Sequence, residues 1–151
     1  MNISKYILII PILTTLISCS KNQNDIAIRE ISSDNNLFGF NNSIYNIDQE
    51  IKSIQGIDTS NLHLTITDGV LKSISLTNHT KYVLSNGVKV GNSKSEIIKL
   101  MGRPIKDEIK IIKGETQIGS IDALVYNRVI ILFDENKKAK SITLETVNKL
   151  L

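Results

Sequence analysis

The stretch Val88–Pro104, VKVGNSKSEIIKLMGRP, most narrows what this chain can fold into. Ser93 followed three residues later by Glu96 is a capping box, in which each side chain satisfies a backbone donor at a helix start. Ile97, Leu100 and Met101 then recur at helical spacing and make one apolar face. Gly102 can take the left-handed conformation that ends a helix, and Pro104 stops it from resuming. The spacing predicts a helix of about two turns, too short to be stable alone. Its apolar face must pack on another layer.

That layer is expected to be a sheet. Apolar runs follow at Glu108–Lys113, Ile121–Tyr126, Val129–Phe133 and Lys140–Thr146. Asn127-Arg128 suggests a tight hairpin between the second and third. Ile142 and Leu144 alternate with Ser141, Thr143 and Glu145, as in a strand with one wet face. The unbroken apolar run Val129–Phe133 reads as a central strand. The first half follows a similar plan. Ile47, Ile51 and Ile54 have helical spacing, with Gly56 placed to end that helix. Leu62, Leu64 and Ile66 alternate with polar residues, Asp68-Gly69 is a hairpin signal, and Ile74 and Leu76 continue the pattern. The expected fold class is therefore α+β, short helices packed on an antiparallel β-sheet. The order allows two tandem helix-then-strands units, 37–80 and 81–151, inside one domain over 37–151.

The N-terminus has a different character. Lys5 precedes an apolar run, Tyr6–Ile17, broken only by Pro11 and two threonines. A bilayer-spanning helix needs roughly twenty apolar residues, so this run is too short to be one. Its length fits the apolar core of a secretory signal. Leu16-Ile17-Ser18-Cys19 resembles the lipobox of bacterial lipoproteins, with an aliphatic residue three before the cysteine and a small one directly before it. The resemblance implies a diacylglyceryl thioether on Cys19 and cleavage between Ser18 and Cys19. Residues 1–18 are then a signal peptide and 19–36 a lipidated, flexible tether, too polar at Ser20–Asp25 to fold. Cys19 is the sole cysteine, so no intramolecular disulfide can form. Ser20 after the cysteine resembles outer-membrane cargo where the host has two membranes. The expected location is the cell membrane or outer membrane, lipid-anchored, facing the periplasm or exterior.

A second resemblance rests on Gly91-Asn92-Ser93-Lys94-Ser95-Glu96-Ile97-Ile98, followed by Leu100, Gly102 and Pro104. This segment resembles the signature of the SmpA/OmlA small lipoproteins of the outer-membrane barrel-assembly machinery. It also resembles β-lactamase inhibitor protein and related lipoproteins. The likeness implies a short helical pair on an antiparallel sheet, sometimes in tandem. Its glycines, cap and proline serve helix geometry, so it speaks to fold more than to function.

Chemistry-bearing motifs are few. The net charge of +3 is too weak to argue for nucleic acid. Charge is uneven, however: Asp25–Asp68 is mostly acidic and Lys81–Lys113 mostly basic. Lys94, Lys99, Arg103 and Lys106 form a candidate binding surface for anionic head groups or an acidic partner. An exposed sheet edge is a second candidate, because it can accept another strand. His63, between Leu62 and Leu64, reads as an exposed strand residue, and His79 as a loop residue. Neither has the neighbours of a zinc site. Ser85, Ser93 and Ser120 lack the glycines of a nucleophile elbow. A lipidated Cys19 leaves no thiol nucleophile. No catalytic, cofactor-binding or metal residues are expected, and no cofactor. The expected function is that of a non-enzymatic envelope protein. It would be held to the membrane by the lipid on Cys19 and act by binding an envelope protein, in envelope or outer-membrane assembly. The alternative is a periplasmic inhibitor or immunity protein against a secreted enzyme or toxin. For that role Tyr45, Tyr82 and Tyr126 are the available aromatic anchors.

Overall fold

The computed structural model describes residues 26–32, 36–40, 42–77 and 80–145. Ser18, Cys19 and His79 lie outside the described residues, as does the expected signal peptide. In chain order the elements are β1 (Ile28–Glu30), β2 (Phe38–Gly39), β3 (Tyr45–Asn46), β4 (Leu62–Thr67), β5 (Val70–Leu76) and β6 (Tyr82–Leu84). They continue with helix α1 (Lys94–Met101), β7 (Lys106–Lys113), β8 (Thr116–Val125), β9 (Val129–Phe133) and β10 (Ala139–Glu145).

Two sheets result. The larger has six strands in the order β4-β5-β10-β9-β8-β7, antiparallel at every pairing. The smaller has four short strands in the order β3-β2-β1-β6, with β2 and β3 parallel. The expected α+β class is thereby corrected. This is a nearly all-β fold with one eight-residue helix among the described residues.

The helix expected over Ile47–Ile54 does not form. Its backbone donors are spent on β5 instead: Asp48 N–H donates to Leu71 O at 2.8 Å and Ile51 N–H to Gly69 O at 2.8 Å. Leu71 N–H returns a bond to Gln49 O at 3.2 Å. Asp48 also takes a positive φ of 72°, which breaks any helical run. Ile47 is still buried, and Ile51 and Ile54 pack against the core, so the apolar spacing serves burial without a helix. With that helix gone, the tandem helix-then-strands plan goes too. Residues 26–30, within the stretch read as tether, carry β1 and bury Ile26, Ala27 and Ile28.

The later expectations fare better. The Asp68-Gly69 turn joins β4 to β5 with φ of 51° and 75°, the pair of positive values that a type I′ hairpin demands. At Asn127-Arg128 the hairpin closes with Tyr126 N–H donating to Val129 O at 2.8 Å. β9 is an interior strand, although Ile130 and Leu132 are only half-buried. One row of side chains crosses five strands: Leu62 faces Leu76, Leu76 faces Ile142, Ile142 faces Ile131, and Ile131 faces Leu124. All five are buried and form the spine of the core.

Helix α1 begins and ends as its sequence dictates. Ser93 Oγ accepts from Glu96 N–H at 3.4 Å, and Glu96 Oε2 accepts from Ser93 N–H at 2.6 Å. Ile97 and Met101 are buried and Leu100 packs against the core. Gly102 ends the helix with φ 84° but ψ −169°, an extended ψ and not the left-handed helical one expected. Tyr126 Oη donates to Gly102 O at 3.0 Å and ties the helix end to the sheet. Burial pushes the Tyr126 hydroxyl up to about 12, so it stays a donor at ordinary pH. Tyr126→Phe is therefore expected to lower stability by about 1 kcal/mol, read as a shift in urea midpoint at unchanged slope. An unshifted midpoint would show that this tether contributes nothing.

Candidate functional site

The β7–β8 hairpin projects beyond the rest of the larger sheet. β8 has ten residues, but only Ala123–Val125 pair with β9. The remainder, Thr116–Asp122, has β7 as its strand partner. A two-residue turn at Gly114-Glu115 closes the hairpin between Lys113 and Thr116. Along the ladder Ile109 faces Ile121 and Ile111 faces Gly119, while Glu108 faces Asp122 and Lys110 faces Ser120. Strand alternation sets the first group on one face of the hairpin and the second on the other. Asp122 contacts α1, so the isoleucine face points away from the helix.

This hairpin concentrates apolar exposure. Ile105, Ile111, Ile112 and Ile118 are 56%, 40%, 63% and 60% exposed. β7 is an edge strand, so its outer backbone groups meet no neighbouring strand. An open groove of about 560 Å³ runs along it, lined by Ile105 to Lys110 and Ile112. An exposed edge beside apolar side chains can accept an extended segment, the backbone ladder giving affinity and the side chains selecting register. The other edge strand, β4, is also exposed over most of its length but carries no Lys, Arg, Asp or Glu.

The four basic residues singled out from sequence meet different fates. Lys94 is a strut between layers. Its Nζ donates to Asp122 Oδ1 at 2.7 Å and to Asp107 O at 3.1 Å, and it sits 5.6 Å from the Phe133 ring centre. Lys99 and Arg103 are exposed at and beyond the end of α1, and Lys106 is exposed at the start of β7. Lys94 is thus held against the β7–β8 hairpin by the Asp122 carboxylate and the Asp107 backbone carbonyl.

Asp122 also accepts from Lys137 Nζ at 2.9 Å. The hydrogen bond from Lys94, with that from Lys137 beside it, holds its carboxyl below the usual range. The carboxylate therefore contributes stability above the unfolded carboxyl pKa of about 4, and that contribution is lost as pH falls through the lower folded value. Asp122→Asn is expected to cost roughly 1 kcal/mol at neutral pH. The deficit should shrink on acidification, which paired urea titrations at pH 7 and pH 3 would check.

A second, smaller pocket of about 230 Å³ is lined by Phe40, Asn42, Asn46, Ile47, Gln49 and Arg128. The Arg128 guanidinium lies 3.4 Å over the Phe40 ring and 3.7 Å from Asp48 Oδ2. Burial draws its pKa down, opposed by the Asp48 charge. It reads as an internal clamp between the smaller sheet and the β8–β9 turn.

The three tyrosines are structural. Tyr82 and Tyr126 are buried, and Tyr82 Oη donates to Asp58 O. The Tyr45 ring stacks on Phe38 with centres 5.1 Å apart, and its hydroxyl accepts from Gln55 N–H at 3.2 Å. His63 is exposed on β4. Among the described residues no three His, Cys, Asp or Glu side chains are grouped to hold a metal, and no helix is long and apolar enough to cross a membrane. Edge status depends on topology, so sequence reasoning named an edge without locating it; the isoleucines at 105, 109, 111 and 112 were its visible trace. The chain matches no family model, no curated protein and no solved structure.

Proposed function

We propose that this chain is a lipid-anchored cell-envelope protein that acts by binding another protein, in envelope or outer-membrane assembly. The observation that carries the binding role is the β7 edge, a strand paired on one side only and bordered by Ile105, Ile111 and Ile112 at 40% exposure or more. The observation that carries the anchor is Leu16-Ile17-Ser18-Cys19 at the end of a short apolar run. A patch of isoleucines on a projecting hairpin loses its contact with water only when a partner covers it. Inhibition by an aromatic blocking loop has less support, because two of the three tyrosines named for it are buried.

Two measurements test the reading. Cys19→Ala should move the protein from the membrane fraction to the soluble fraction and abolish acylation. Acylation of that variant would sink the anchor. For binding, cross-linking in intact envelopes should trap a partner on the wild type and lose it in Ile112→Lys, whose charge sits on the edge without touching the core. A partner trapped equally by both forms would remove β7 from the reading.

A further inference from the structure

We propose that β7 recognises a second copy of this chain, the two β7 strands pairing antiparallel about a two-fold axis through Ile109. This rests on the edge-binding reading above and names the strand that the edge receives.

The register follows from symmetry and charge. Two antiparallel strands related by a two-fold perpendicular to the sheet keep their faces, so residues that meet must share a face. The axis must then pass through a residue of the sequence Lys106-Asp107-Glu108-Ile109-Lys110-Ile111-Ile112-Lys113. An axis at Lys106, Asp107, Glu108, Lys110 or Lys113 sets two like charges directly opposite one another, which is destabilising. An axis at Ile111 or Ile112 avoids that but sets no Glu or Asp opposite a Lys. An axis at Ile109 sets Ile109 against Ile109, Glu108 against the other copy's Lys110, and Lys110 against its Glu108. Both ion pairs and an apolar centre arise from one register.

The structure has the required parts in place. Glu108 and Lys110 lie on one face and already approach within 3.9 Å inside the chain, with side chains 44% and 58% exposed. So open a pair contributes little, and exchanging partners costs little. Ile109 and Ile111 lie on the opposite face, where the two Ile109 side chains meet at the axis and each Ile111 lies diagonal to the other copy's Ile109 and opposite its Asp107. Exposed Ile112 falls opposite Lys106, whose methylene stem can cover it. Charges on an edge repel strands of the wrong pattern and admit the matching one. The β4 edge carries none of these charges and hence no such register code.

The test uses the full chain in density-matched detergent, with mass read by sedimentation equilibrium. The wild type should dimerise with a Kd tighter than about 0.1 mM. Glu108→Lys alone and Lys110→Glu alone should each weaken dimerisation by roughly tenfold or more, because each makes both cross-pairs like-charged. An equal mixture of the two variants should recover dimers, since all-basic then faces all-acidic. Ile109→Cys should oxidise to a disulfide-linked dimer well above the wild-type background, and Ile111→Cys should not. A monomeric wild type, single variants that dimerise unchanged, or a mixture that stays monomeric would overturn the proposal. A monomer that still loses an envelope partner on Ile112→Lys would leave the edge-binding reading standing while removing self-pairing.

Discussion

Gly39→Val is expected to lower stability by about 4 kcal/mol, and Gly39→Ala by about 2 kcal/mol. Gly39 lies buried in β2, close against the Ala27 backbone. A β-carbon there would stand 2.6 Å from the Ala27 β-carbon, 2.7 Å from Ser43 Oγ and 2.8 Å from the Ala27 α-carbon. The serine can rotate, but the Ala27 backbone cannot easily withdraw. Its N–H donates to Ser85 Oγ at 3.1 Å and its carbonyl accepts from Ser85 N–H at 2.6 Å. The strain must therefore be relieved by parting β2 from its neighbours. Chemical denaturation gives the loss directly. A change below about 0.5 kcal/mol for the valine variant would mean that Ala27 moves freely.

Ile142→Ala is the second large effect, expected at about 3 kcal/mol. Ile142 is fully buried in β10 and faces Leu76 on one side and Ile131 on the other. Its loss opens a cavity in the middle of the five-strand row, and the flanking strands fix the walls so that they cannot collapse inward. Thr143→Ala gives the control on the same strand. Thr143 points to the other face and shares a hydrogen bond of 2.8 Å with Ser75. Removing that bond should cost roughly 1 kcal/mol or less. Equal losses for the two variants would contradict the assignment of faces.

Legibility tracked locality. Helix α1 was readable because its cap, apolar face and terminator lie within a dozen residues and interact with one another. The strand runs after Pro104 were readable from alternation and turn residues. The false helix at Ile47–Ile54 shows the limit. Isoleucines spaced by four and three satisfy a helical period, but the segment's N–H groups find partners on β5, some twenty residues on, and periodicity carries no record of that. The smaller sheet was invisible for a related reason: strands of two or three residues, such as Phe38–Gly39, are too short to alternate. At the candidate site, Lys94 looked like a surface cation because its partner Asp122 is distant in sequence.

The position of β10 has a consequence for when the larger sheet can exist. It is the last strand in chain order among those described, yet it lies between β5 and β9. Without it, the β4–β5 hairpin and the β7–β8–β9 meander have no strand to join them. A ribosome delivering the chain from its N-terminus therefore releases two separate halves until residues 139–145 emerge. Contacts across such long separations also close slowly. Residues 139–145 must therefore be present before the larger sheet can close as one six-stranded layer.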